Sequence, residues 1–237
     1  MPAARAKGRR KSAAGKMPAD DIAEAFRRFA KAMPKPRTEL AYTSPFTLLV
    51  AVVLSAQATD AGVNKATPAL FAKANTAEKM AKLTETEVEH FIRTIGLYRT
   101  KAKNVVALSK KLVAEHGGKV PDTREALEEL PGVGRKTANV VMNVIYGAPT
   151  IAVDTHIFRV ANRTGMAPGR DPLAVEEGLE RVVPERYLSH AHHWLILHGR
   201  YVCVARKPRC PECVILDLCR YPDKTAPEAL HGEGSPL

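Results

Sequence analysis

The sequence predicts an all-α protein, and three observations carry that reading. Helix-start signals recur along the chain, as at Ser44-Pro45, Thr84 with Glu87 three residues later, and Asp171-Pro172. Glycine or proline follows most of the apolar stretches and stops them. No stretch sustains the period-two alternation of a strand, and the pairs Val52-Val53, Val105-Val106 and Val140-Val141 sit inside helical periodicity.

The elements follow in order. Residues 1–16 are a low-complexity Ala/Gly/Lys/Arg segment, read as a disordered basic tail. A helix is expected over residues 20–32, with Ile22, Phe26 and Phe29 on one face, ended by Met33-Pro34-Lys35-Pro36. Ser44 caps an apolar helix running through Gln57. Asp60 and Thr67-Pro68 are read as opening two short helices. The Thr84/Glu87 pair opens another that Gly96 stops. Thr100 starts a helix over residues 101–115, and Asp122-Thr123 one that ends at Pro131. A glycine turn then leads into a helix over residues 134–146. An extended link, residues 148–153, brings in Asp154 as the cap of a helix over 155–164. Helices over 172–182 and 185–202 complete the count at about ten, and residues 223–237 form a polar extension.

At 237 residues the chain is long enough for one large domain or two small ones with a proper core. Its net charge is +11, and residues 1–16 hold six basic side chains and no acid. That excess points to a polyanionic partner, and a basic arm adds non-specific affinity for nucleic acid. No apolar run reaches the roughly 18–20 residues of a membrane span, since the stretch 47–58 is too short. The N-terminus lacks the apolar region of a secretory signal, so an intracellular protein is expected.

The central stretch is residues 130–138, Leu-Pro-Gly-Val-Gly-Arg-Lys-Thr-Ala. Gly132 and Gly134 are expected to turn the backbone where a Cβ would clash. Their neighbourhood, with Val133 and Arg135, is expected to aim N–H groups at an anion from a helix N-terminus. Lys136 stands in the first turn of the following helix, where partial positive charge disfavours an ammonium. The helix end, Arg135 and partial burial would all favour the neutral amine, which is the form a nucleophile needs. The competing reading is a lysine that only contacts phosphate. Asp154 is equally double: an ordinary N-cap, or a fixed carboxylate that stabilises a developing sugar cation or accepts a proton.

All four cysteines fall within 17 residues, as Cys203, Cys210, Cys213 and Cys219. This spacing suits one compact [4Fe–4S] cluster better than a zinc ribbon, which has two CxxC knuckles; two disulfides are the third alternative. Arg206, Lys207 and Arg209 lie between the ligands. They suit a loop that faces phosphate, or one that offsets the negative charge of its own cluster.

Three segments together resemble the endonuclease III family of the helix-hairpin-helix superfamily: LPGVGRKTAN at 130–139, VDTHIFRVANR at 153–163, and the 203/210/213/219 cysteine spacing. Further similar segments are LSAQATD at 54–60, IGLY at 95–98 and HWLILHGR at 193–200. The resemblance covers about residues 23–221. It implies a two-domain α fold: a six-helix barrel over residues 38–148, and a cluster domain formed by 17–37 with 149–222. It also implies a bifunctional DNA glycosylase/AP lyase acting on oxidised pyrimidines in duplex DNA, as a monomer with one [4Fe–4S] cluster. By the same resemblance Lys136 and Asp154 fall on the catalytic lysine and aspartate, and Gln57 on the residue that fills the gap left by a flipped nucleotide. Leu97 falls on a wedge in the opposite strand, and His156 lies beside the catalytic aspartate. Alternatives are a non-catalytic, redox-sensing DNA-binding protein and an adenine-excising relative. The second predicts no lysine at 136 and a further recognition domain, whereas only 18 residues follow Cys219.

Overall fold

A computed structural model describes residues 15–226. The expected basic tail up to residue 14 and the extension from 227 onward lie outside the described residues. Among the described residues there are eleven α-helices, one 3-10 turn and no strand. The helices are α1 (Ala19–Ala32), α2 (Pro45–Ser55), α3 (Asp60–Lys73), α4 (Ala77–Ala81), α5 (Glu85–Ile92) and α6 (Tyr98–His116). They continue with α7 (Arg124–Glu128), α8 (Arg135–Tyr146), α9 (Thr155–Thr164), α10 (Pro172–Val182) and α11 (Glu185–Tyr201). None is long and apolar enough to cross a membrane.

The chain divides into two compact units. The first comprises Lys35–Asp154 and Glu185–His193. Its centre is α2, buried from Phe46 to Leu54 on all sides, as a helix apolar all round must be. The helix starts where it does because Ser44 Oγ accepts the Thr47 N–H while Thr47 Oγ1 accepts the Ser44 N–H, with Pro45 in the first turn. One continuous apolar cluster surrounds it, including Leu70, Met80, Ile92, Leu108, Leu112 and Leu127. The Thr84/Glu87 capping box opens α5 as expected.

Three boundaries differ from the sequence reading. Asp60 and Thr67-Pro68 do not open two helices. α3 runs through Pro68, because the buried face of Val63, Ala66, Thr67 and Leu70 outweighs the one hydrogen bond proline removes. α4 is a five-residue helix capped by Thr76, too short to show periodicity. α6 begins at Tyr98 rather than Lys101, since Leu97 caps it in a left-handed conformation and its carbonyl accepts the Lys101 N–H.

The second unit comprises Met1–Pro34, Thr155–Pro184 and Trp194–Leu237, as far as these are described. Phe26 and Phe29 of α1 meet edge to face with centroids 5.8 Å apart, and Phe26 packs on Trp194. The Trp194 indole N–H donates to the Met33 carbonyl, which ties α1 to α11. Arg28 reaches the Val214 carbonyl and the Asp217 carboxylate, and Arg220 reaches Asp21.

Candidate active site and metal centre

The glycine turn between α7 and α8 shows why its two glycines differ. Gly132 has φ +80°, and a Cβ there would meet the Asn104 side chain at 2.7–3.0 Å. Only glycine satisfies both constraints. Gly134 caps α8 with φ −106°, and a Cβ there would meet nothing within 4 Å. The expectation that both glycines avoid an internal clash is therefore corrected: Gly134 leaves open space in front of the helix end. The first-turn N–H groups of α8 have no partner inside the helix, and no side chain caps them from Gly134. Val133 is buried and anchors the turn, while Arg135 and Lys136 are exposed. The partial burial expected for Lys136 is absent, because the helix end projects its first turn away from the core.

The link after α8 sets the position of Asp154. Gly147 reverses the chain with φ +65°. The Asn143 side-chain amide then holds the carbonyls of Ala148 and Thr150, and the Thr150 hydroxyl donates to the Asn139 carbonyl at 2.7 Å. The link meets Asn143 at Ala148 and reaches Asn139 as well by Thr150, so over these residues it turns back along α8. Ile151, Ala152 and Val153 are buried beyond that point. Lys136 lies one turn before Asn139, a rise of about 4.5 Å. The half-buried Asp154 follows Thr150 by four residues, at most about 14 Å of chain. The return path thus heads for the end of α8 that carries Lys136. Asn139 itself is fully buried, and neither atom of its side-chain amide has a hydrogen-bond partner.

Gln57 and Leu97 share an unusual backbone. They are two of three non-glycine residues with positive φ among the described residues, at +53° and +60°. Both are exposed, Leu97 by 58%. Their turns adjoin, since a Cβ on Gly96 would lie 3.9 Å from the Gln57 carbonyl oxygen. Strained conformations of this kind cost on the order of 1–3 kcal/mol and concentrate at functional sites. Gln57 therefore lies in a turn beyond α2 rather than inside that helix. His156 belongs to the second unit, half-buried on α9, where Gly199 packs so closely that a Cβ would stand 2.8 Å from it.

In the second unit the four cysteines line one cavity, together with His198 and Tyr221. None forms a disulfide, which removes that alternative. Burial pushes the Cys213 thiol up to about 12 and raises Cys219 as well. Four thiolates in such a place require a cationic centre to hold them ionised. Donors stand ready around the sulfurs: the Tyr221 N–H points at Cys219, and Arg163 lies 3.7 Å from Cys203 Sγ. His198 Nε2 is 3.6 Å from Cys213 Sγ. Two arginines one helical turn apart on α9 fasten the loop. Arg159 donates to the Cys203 and Gly199 carbonyls, and Arg163 to those of Val204 and Ala205. The sequence reading assigned no role to either, although their i, i+4 spacing on the helix after Asp154 was the available signal. Arg206, Lys207 and Arg209 are all exposed, so they serve the outside of the loop.

Known proteins match this arrangement. Residues 50–185 fit the family described as HhH-GPD superfamily base excision DNA repair protein, and residues 203–219 fit the iron-sulfur binding domain of endonuclease III. Endonuclease III of Haemophilus influenzae is 57% identical over 201 residues, spanning 85% of this chain and 95% of that protein. The Escherichia coli K12 protein of the same name is 59% identical over 191 residues, spanning 81% and 90%. Among solved structures, a trapped endonuclease III–DNA covalent intermediate matches with TM-score 0.81 and 46% identity, over 86% of this chain and 96% of that one. A thermostable thymine-DNA glycosylase matches with TM-score 0.76 and 26% identity, over 86% and 95%.

Proposed function

The chain belongs to the endonuclease III family within the helix-hairpin-helix base-excision superfamily, and from that premise we propose that it is a DNA glycosylase/AP lyase that acts through Lys136. The observation that carries this reading is a pairing. A relative 46% identical to this chain forms a covalent intermediate with DNA, and here an exposed primary amine stands in the first turn of α8, two residues after a glycine whose Cβ position is open space. The substrates are oxidised, ring-saturated pyrimidines in duplex DNA. Their weakened stacking lowers the cost, a few kcal/mol, of turning the nucleotide out of the helix.

The chemistry follows from the positions. The N–H groups before Lys136 grip a backbone phosphate and fix the sugar. Gln57 and Leu97, exposed on adjoining turns, occupy the opened stack. The Lys136 amine attacks C1′ and forms a C–N bond as the C1′–base bond breaks, and the base leaves with a proton. Asp154 stabilises positive charge on the sugar and takes the proton that the amine releases. The C1′–O4′ bond then opens, O4′ takes the proton that Asp154 holds, and the imine formed at C1′ acidifies C2′. Loss of a C2′ proton then expels the 3′ phosphate and nicks the strand, and water hydrolyses the imine to free Lys136. Cys203, Cys210, Cys213 and Cys219 hold one [4Fe–4S] cluster. That group supplies a fixed charge and a brace for the loop carrying Arg206, Lys207 and Arg209, which face phosphate. The enzyme works as a monomer on DNA in the cell interior.

Borohydride reduction tests the nucleophile. The wild-type chain should be trapped on an abasic or thymine-glycol duplex. Lys136→Ala should lose trapping and nicking by at least about a thousandfold while keeping most of its DNA affinity, because the grip is made by backbone. Trapping that survives in Lys136→Ala would overturn the assignment.

A further inference from the structure

The first unit contains a second cavity that the chemistry above does not use. Its volume is about 320 Å³, at the small end of ligand pockets. It lies among residues 36–42, the C-terminal end of α8 and the first half of α11. Arg37, Thr38, Tyr42, His190 and His193 line it, and no carboxylate does. We propose that this cavity is a binding site for a phosphomonoester of mononucleotide size.

The charge pattern selects an anion. Arg37 is exposed at the rim, as is His190. His193 is buried, with 7% exposure, and the His192 ring lies edge-on to its own at 5.1 Å. Donors therefore line the cavity from two segments: the Arg37 guanidinium and the hydroxyls of Thr38 and Tyr42 from residues 36–42, and the imidazoles of His190 and His193 from α11. Guanidinium and hydroxyl donors around a space without competing acids suit phosphate oxygens. One field opposes an anion, the C-terminal end of α8. It is blunted here, because the Met142 and Asn143 carbonyls already accept the N–H groups of Ala148 and Gly147. The wall is also preset. The Asn143 side-chain amide bridges the carbonyls of Ala148, Thr150 and Ser189, which clamps α8 to its return link and to α11. The Tyr42 ring, 40% exposed at the opening, offers a face on which a base can stack.

The proposal does not rest on the lyase reading, so either can fail alone. Isothermal titration of the full chain with thymidine 5′-monophosphate and, separately, with inorganic phosphate tests it. Saturable binding with a Kd of millimolar or tighter is expected, weakened at least tenfold in Arg37→Gln and in His190→Gln. Both positions are exposed, so both variants should fold and should nick lesion-bearing duplex at the wild-type rate. Tighter binding of the nucleotide, lost in Tyr42→Ala, would identify a nucleotide as the occupant. Equal binding of the two probes, indifferent to Tyr42→Ala, would identify free phosphate. Absence of saturable binding by either probe overturns the proposal. So does binding that both charge variants leave unchanged and that lesion duplex displaces, because that anion would be sitting at the α8 hairpin.

Discussion

Each unit is stabilised internally by a different kind of force. The first has one apolar cluster running from Leu40 to Val141. The side chains to which we assign function there, Gln57, Leu97 and Lys136, all stand at or just beyond the ends of helices that are otherwise packed into the core. The second depends more on polar ties. Arg28, Arg159 and Arg163 hold loop carbonyls, and the 3-10 turn Cys210–Glu212 buries none of its residues. A unit closed by apolar burial can present strained or exposed residues at its rim without losing its core. A loop closed by arginine–carbonyl bonds and thiols needs its central group. Removing that group should reveal the contrast most sharply. Cys213→Ser in the full chain should abolish the visible absorption near about 400 nm expected for an iron–sulfur centre. It should also open the region after Trp194 to proteolysis while the 35–154 region stays resistant. Equal loss of protection in both regions would show that the contrast is wrong.

Acid should strain the first unit by a smaller amount. His193 is buried in it, and burial pushes its pKa down to about 4, with His190 adding to the effect. The unfolded chain titrates near 6.5. Stability from this neutral imidazole is complete above about pH 6.5 and falls as the pH drops towards 4, where the folded protein also binds the proton. The loss is on the order of 3 kcal/mol. Urea unfolding followed by far-UV circular dichroism at pH 7 and pH 4.5 reads it. His193→Gln should reduce the pH dependence, to which the buried His198 of the second unit also contributes, and an unchanged slope would show that His193 is not the acid-sensitive group.

Much of this contrast was legible in the sequence where the signal is local. The caps at Ser44, Thr84 and Asp171 specify their helices within four residues, and the cysteine spacing lies inside one loop. Features set by tertiary packing were not legible. Pro68 reads as a breaker until the buried face of α3 is known. The left-handed Leu97 leaves no mark in residue type, so the start of α6 was misplaced. The path that returns Asp154 along α8 depends on Thr150 meeting Asn139, eleven residues earlier. The cavity beside Arg37 draws its walls from three separated segments, and no local pattern announces it.

The hairpin offers the finest test of the same idea, because its two glycines stand two residues apart and answer to different partners. Gly132 answers to the protein. Gly132→Ala would force an L-residue to φ +80° and drive a methyl group into Asn104, so a loss of about 2 kcal/mol is expected in thermal or urea unfolding. Gly134 answers to what approaches from outside. Its backbone suits any residue and its Cβ would point into open space. Gly134→Ala should therefore leave stability within about 0.5 kcal/mol of wild type, or raise it slightly by restricting the unfolded chain. Its methyl group would nevertheless stand before the α8 N–H groups, where a phosphate must come close, so affinity for an abasic-analogue duplex should fall severalfold in a fluorescence-anisotropy titration. Unchanged affinity in Gly134→Ala would mean that the phosphate does not approach here, and the grip assigned to the end of α8 would have to move to other donors.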